Sequence, residues 1–128
     1  MAYNFLIVDD SSIVRKVIIK TMKMTDVQCN VIYEAENGAK ALEVLDKEWV
    51  DLVFLDINMP VMNGIEFMEA LRAIEQFKDL PVIVVSTEGS KERIDKLNSL
   101  GIKAYLRKPM TPESLTETIS NVLGGIGK

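Results

Sequence analysis

Leu52-Val53-Phe54-Leu55 runs straight into Asp56, and Pro60 follows four residues later. An apolar run of this length, β-branched and aromatic in part, has no polar face to give to water. It reads as a strand covered on both sides, the signature of a parallel sheet sandwiched between helices. Asp56 then ends a central strand at the edge of the core, where a carboxylate is costly unless it has partners. Taken alone, an Asp in this position caps a turn as readily as it builds a site. The other strand ends decide between the two readings.

Four further runs follow the same grammar. Phe5-Leu6-Ile7-Val8 ends on Asp9-Asp10, a second strand falls near Val31 to Ala35, Val82-Ile83-Val84-Val85 ends on Ser86, and Ala104-Tyr105-Leu106 runs toward Lys108-Pro109. Between and after them lie helical patterns. Ser12 reads as an N-cap before the stripe Val14, Val17, Ile18 and Met22. Asn37-Gly38 opens a helix with Ala41, Leu42, Leu45 and Trp49 on one face, and Asn63-Gly64 opens one with Phe67, Leu71 and Ile74 inward. Ser90 caps a helix carrying Ile94, Leu97 and Leu100 and closed by Gly101. Thr111-Pro112 starts a last helix that buries Leu115, Ile119, Val122 and Leu123 and stops at Gly124-Gly125. Strands alternating with helices predict an α/β fold: a single, doubly wound, five-stranded parallel sheet with helices on both faces and right-handed crossovers.

The 128 residues suit one domain, and no repeat, low-complexity tract or linker to an effector domain interrupts them. A net charge of −4 gives no electrostatic footprint for nucleic acid or for an anionic membrane. No apolar run approaches the roughly 20 residues of a membrane span, and no basic-then-apolar leader opens the chain. With a single cysteine, Cys29, and these absences, the expected location is cytoplasmic and the expected state a monomer. The chain has no histidine, which removes the commonest general base and metal ligand.

In such sheets ligands bind beyond the carboxyl ends of the strands. That rim collects Asp9, Asp10, Asp56, Ser86 and Lys108. One Asp after a strand is a turn, whereas three carboxylates, a hydroxyl and an ammonium on one rim are a site. Two like charges about 4 Å apart repel by about 4 kcal/mol at an effective dielectric near 20, and one lysine offsets three carboxylates only in part. The remainder calls for a divalent cation or for a protonated carboxyl. Hard oxygen donors favour Mg²⁺ over zinc. A metal so held keeps positions for phosphate oxygens. Asp56 can then be the nucleophile that forms an aspartyl-phosphate, with Lys108 neutralising the phosphoryl oxygens and Ser86 hydrogen-bonding one of them.

From Asn4 to Leu123 the sequence resembles the receiver domain of two-component response regulators, and within that family the single-domain, CheY-like chemotaxis receivers. The Asp9-Asp10 pair, Asp56-x-x-Met59-Pro60 with Gly64, Ser86 and Lys108-Pro109 carry the resemblance as a set. It implies the flavodoxin-like strand order 2-1-3-4-5. It implies a phosphoryl group delivered to Asp56 by a histidine kinase. The Mg²⁺ would be bound by Asp10, Asp56 and the backbone carbonyl of Asn58, with Asp9 acting through water. It further implies a switch in which Ser86 and Tyr105 shift, and a cis peptide before Pro109. Asn58 and Glu88, each two residues past a site residue, would set the lifetime of the phosphate. Lys91, Ile94 and Tyr105 match the surface that meets an output protein, although Lys91 alone reads as a solvated helix residue. A phosphatase is a further partner of this kind. Thr87 departs from the family's usual small residue and is expected to narrow access to the phosphoryl group. Met110 replaces a common aromatic.

Rival readings fare less well on the same residues. A flavin mononucleotide carrier of this fold holds phosphate in the loop after the first strand, where Asp9-Asp10 would repel it. An Asp-nucleophile phosphatase needs a second Asp two residues after the first, and Asn58 stands there. Neither a dinucleotide fingerprint nor a P-loop is present. A receiver serving as a phosphorelay intermediate or a regulator outside chemotaxis shares every one of these site residues.

Overall fold

The computed structural model describes residues 2–87, 90–108 and 110–126, with side chains as far as Leu123. Five strands and five helices alternate: β1 Tyr3–Val8, α1 Ser12–Lys23, β2 Cys29–Ala35, α2 Gly38–Lys47, β3 Leu52–Leu55, α3 Gly64–Arg72, β4 Val82–Ser86, α4 Lys91–Ser99, β5 Ala104–Arg107 and α5 Pro112–Ile126. A short 3₁₀ turn, Glu75–Phe77, follows α3. The strands form one parallel sheet in the order β2-β1-β3-β4-β5. Glu88 and Pro109, both expected to tune the site, lie outside the described residues.

Side chains alternate across each strand, so the apolar runs feed two cores. Leu6, Val8, Val53, Leu55, Val82 and Val84 meet Ala41 and Leu45 of α2, Phe67, Met68 and Leu71 of α3, and Leu97 of α4. Phe5, Ile7, Leu52, Phe54, Ile83 and Val85 meet Ile18 and Met22 of α1 and Leu115, Ile119 and Leu123 of α5. The central strands β1, β3 and β4 are covered on both faces, and all of Leu52–Leu55 is buried.

Five details depart from the sequence reading. The cap of α1 is Ser11, one residue earlier than expected: its hydroxyl accepts from the Val14 N–H at 3.2 Å, and the Asp9 carboxylate holds the Ser11 N–H at 2.9 Å, so the helix begins at Ser12. Val17 sits on the open side of α1, 54% exposed. Trp49 is not on the inner face of α2. Glu48 is extended, the helix stops at Lys47, and the exposed indole donates to Asp51 Oδ1 at 2.9 Å. Ile74 likewise falls past the end of α3 and is exposed. Gly124-Gly125 does not end α5, which continues to Ile126. A glycine costs a helix only about 1 kcal/mol against alanine, which does not by itself stop the last turn.

Arg72 joins the end of α3 to the turn after α4. Its Nε donates to the Leu100 carbonyl at 2.8 Å, Nη1 to those of Phe77 and Leu80 at 2.9 and 3.0 Å, and Nη2 to that of Gly101 at 3.0 Å. Gly101 is at φ +83°, a backbone that suits glycine at the end of a helix.

Candidate functional site

The carboxyl ends of β1, β3, β4 and β5 converge as parallel pairing requires. Asp9 follows Val8 and hydrogen-bonds through its N–H to the Ala35 carbonyl at 3.0 Å; Asp56 follows Leu55 and donates its N–H to the Val8 carbonyl at 2.9 Å. Asp56 therefore stands one residue beyond β3 rather than as its last residue. Ser86 ends β4, almost wholly buried, and its carbonyl accepts the Lys108 N–H at 3.1 Å. Lys108 reaches back over the rim: its Nζ lies 2.8 Å from Asp9 Oδ2 and 3.7 Å from Asp56 Oδ1.

The three carboxylates are not equivalent. Asp9 is buried and both its oxygens are engaged, Oδ1 by the Ser11 N–H and Oδ2 by Lys108. Arg15 Nη1 also donates to the Asp9 backbone carbonyl at 2.6 Å. Asp10 is exposed. Asp56 is 8% exposed, and burial pushes its carboxyl above the ordinary range. Lys108 opposes that rise, Asp9 adds to it, and the Ile57 N–H and the Ser86 hydroxyl pull it back down. One oxygen from each of Asp9, Asp10 and Asp56 falls within a sphere of mutual distances no greater than 4.8 Å. Three hard donors this close, with one ammonium among them, fit a small divalent cation such as Mg²⁺.

The loop after Asp56 is tightly built. The Gly64 N–H donates to the Ile57 carbonyl at 2.8 Å, and Met59 is buried. The Met62 N–H closes on the Pro60 carbonyl at 2.7 Å around Val61, which sits at φ +67° in the rarer and more strained hand of γ-turn. A Cβ on Gly64 would lie 2.6 Å from the Asp56 carbonyl oxygen and 2.9 Å from Ile57 Cα, so only glycine lets α3 approach this closely. Asn63 and Glu66 complete a reciprocal capping box at the start of α3.

The remaining candidates lie around this centre. Asn58 is exposed on the loop, its side-chain oxygen accepting from Arg93 Nη1 at 2.7 Å. Thr87 is exposed and lines an apolar groove with Val14, Val17, Ile18, Lys108 and Met110. Tyr105 is half-buried on β5 and packs against the core shared by α3 and α4. Lys91 is exposed and Ile94 half-buried on α4, well separated in the chain from the carboxylates. The Arg93–Asn58 and Arg15–Asp9 contacts were not foreseen from the sequence. A charged residue at the third position of α4, where its cap would favour Glu, was the available signal.

A parallel sheet carrying carboxylates beyond its first and third strands, a hydroxyl at the fourth and a lysine after the fifth defines a receiver. The chain belongs to the response regulator receiver domain family, which it matches over residues 5–120. It is accordingly a two-component response regulator. Phosphorylation by a histidine kinase, Mg²⁺ binding at an acidic cluster and action on protein partners are general features of that family. Among individual proteins, it is 40% identical over 122 residues to a chemotaxis protein CheY homolog of Campylobacter jejuni, an alignment covering 94% of this chain and 92% of the relative. It superposes on the chemotaxis response regulator CheY4 of Vibrio cholerae with a TM-score of 0.82 at 33% identity, covering 95% of this chain and 99% of that one. It also superposes on a chain of the CheX–CheY–BeF3–Mg²⁺ complex of Borrelia burgdorferi, with a TM-score of 0.85 at 27% identity and coverage of 94% and 89%.

Proposed function

We propose that Asp56 is the phosphoacceptor of a chemotaxis-type response regulator. The observation that carries this is the division of labour between Asp9 and Asp56. Lys108 closes on Asp9 at 2.8 Å and stands off from Asp56 at 3.7 Å, so of the two buried carboxylates Asp56 is the one the ammonium does not take up. In transfer an Asp56 oxygen attacks the phosphorus of a phosphohistidine on the kinase. The P–N bond breaks as the P–O bond forms, and the imidazole leaves and takes up a proton. The Lys108 ammonium neutralises one phosphoryl oxygen, and the Ser86 hydroxyl donates to another. Asp10, Asp56 and the Asn58 carbonyl would hold Mg²⁺, with Asp9 acting through water. When bound, the ion screens the carboxylates from the incoming phosphoryl charge.

Closure of Ser86 on the phosphoryl group moves the start of α4 and lets Tyr105 turn inward. This reshapes the surface of Lys91, Ile94 and Tyr105 for an output protein. The similarity to CheY proteins across more than nine-tenths of the chain supports chemotaxis as the pathway. It equally supports a phosphatase among the partners and a cytoplasmic location. Among the described residues no helix is long and apolar enough to cross a membrane.

Labelling tests the assignment. Incubation with phosphorylated kinase or with acetyl phosphate should give an acid-stable, hydroxylamine-sensitive label that Asp56→Asn abolishes. Label that survives Asp56→Asn and disappears in Asp9→Asn would move the acceptor to Asp9. In the same assay Thr87→Ala should speed both labelling by acetyl phosphate and loss of label; unchanged rates would mean that Thr87 does not restrict entry.

A further inference from the structure

The start of α4 breaks a local rule that α3 obeys. In α3 the cap Asn63 is answered at the third position by Glu66, with the Glu66 N–H 2.9 Å from Asn63 Oδ1. In α4 the cap Ser90 is answered by Arg93, and the Arg93 N–H lies 3.5 Å from Ser90 Oγ. A cation in the first turn also opposes the helix dipole. Helix formation therefore gives no reason for an arginine here. Its side chain instead crosses to the loop after Asp56 and donates from Nη1 to Asn58 Oδ1 at 2.7 Å.

That contact has a chemical consequence. A guanidinium can only donate, so the Asn58 amide must present its oxygen to Arg93 and turn its NH2 elsewhere. Hydrolysis of an aspartyl-phosphate needs water to attack phosphorus opposite the Asp56 oxygen. The new P–O bond forms, the P–O bond to Asp56 breaks and restores the carboxylate, and the proton released by the water leaves with inorganic phosphate. A side chain that orients such a water must accept one of its protons. Asn58, two residues past Asp56, has a single acceptor atom, Oδ1; Arg93 takes one of its two lone pairs and holds the amide toward α4, so that a water must compete with a charged donor for the oxygen. We infer that Arg93 is a positioning residue that acts through Asn58 as a brake on hydrolysis and so lengthens the life of the phosphorylated state. This rests on Asp56 being the acceptor.

The test is a set of autodephosphorylation rates on the full chain in Mg²⁺, after labelling with acetyl phosphate. Arg93→Ala should lose label about three- to tenfold faster than the wild type, the rate equivalent of one hydrogen bond. Arg93→Met, of similar length but without a donor, should match Arg93→Ala, and Arg93→Lys, which keeps a donor, should fall between it and the wild type. The readout that a merely structural role would not move is the double-variant cycle: in an Asn58→Ala background, Arg93→Ala should leave the rate unchanged. An unchanged or slower rate in both Arg93→Ala and Arg93→Met would overturn the inference. So would an equal acceleration with and without Asn58, which would mean that Arg93 acts through its charge or through the fold of α4. Failure of the wild type to label, or label that persists in Asp56→Asn, would instead overturn the acceptor assignment.

Discussion

Two segments flank the Asp56 carboxylate, and they are built to opposite standards. The β3–α3 side is fixed. A Gly64–Ile57 hydrogen bond, a strained turn at Val61 and a complete capping box lead into a helix that buries Gly64, Phe67, Met68 and Leu71. The β4–α4 side is loose. Leu97 is the one buried residue of α4 among those described, Ile94 and Leu100 are half-buried, and the cap is long. A strained residue such as Val61 persists only where its surroundings over-determine it. The proposed acceptor thus sits on a rigid arm, and the hydroxyl of Ser86 leads into the arm that can move. At its far end α4 is pinned, because Arg72 holds the carbonyls of Leu100 and Gly101. A helix pinned at its C-terminal end, whose first turn meets the acceptor loop through the exposed Arg93–Asn58 hydrogen bond, can pivot about its far end when that bond is exchanged.

The comparison can be broken at its strongest point first. Phe67→Ala should destabilise the fold by about 3–5 kcal/mol, as truncation of a fully buried aromatic does. Ile94→Ala, on the half-buried face of α4, should stay near or below about 1 kcal/mol. Urea unfolding of both variants measures the contrast, and similar losses would mean that α4 is held as firmly as α3. Gly64→Ala comes next, at about 1–3 kcal/mol, because the new methyl meets backbone that cannot swing away. The same variant should shift the Asp56 and Ile57 amide resonances more than those of Ser86 and Thr87.

A smaller effect comes from Asp56 itself. Its carboxyl titrates above the ordinary range in the fold, so the native state holds that proton more tightly than the unfolded chain. Stability then falls as the pH rises from the ordinary Asp value through the raised one, and the deficit stays constant above both. Asp56→Asn removes that deficit. Without Mg²⁺ it should melt a few degrees above the wild type at pH 7, and the gap should close as the pH is lowered toward 4. Added Mg²⁺ should raise the wild-type melting temperature and leave Asp56→Asn nearly unmoved. A gap that does not change with pH would assign the difference to packing.

Much of this molecule is legible in the sequence because parallel strands are continuous apolar runs and because such sheets gather their strand ends on one rim. Asp9, Asp10, Asp56, Ser86 and Lys108 could be named on those grounds, and the structure brings them together. Three of the errors share a cause, which is that periodicity does not know where a helix stops. Trp49 and Ile74 keep the helical spacing of α2 and α3 and fall outside them, and Gly124-Gly125 reads as a stop where the helix runs on to Ile126. Ser11 and Ser12 are indistinguishable as caps until the Asp9 carboxylate is seen to hold the Ser11 N–H. Helical spacing assigns no role to Arg72 or Arg93, and their roles appear only when carbonyls and an amide from distant parts of the chain reach them.

Hydrogen exchange with and without beryllofluoride, a stable mimic of the phosphoryl group, tests the contrast between the two arms most directly. Changes in protection should concentrate in residues 86–108 and be small in α3 and in residues 12–24. A uniform change, or one centred on α3 or α1, would contradict the assignment of a rigid acceptor arm and a mobile α4.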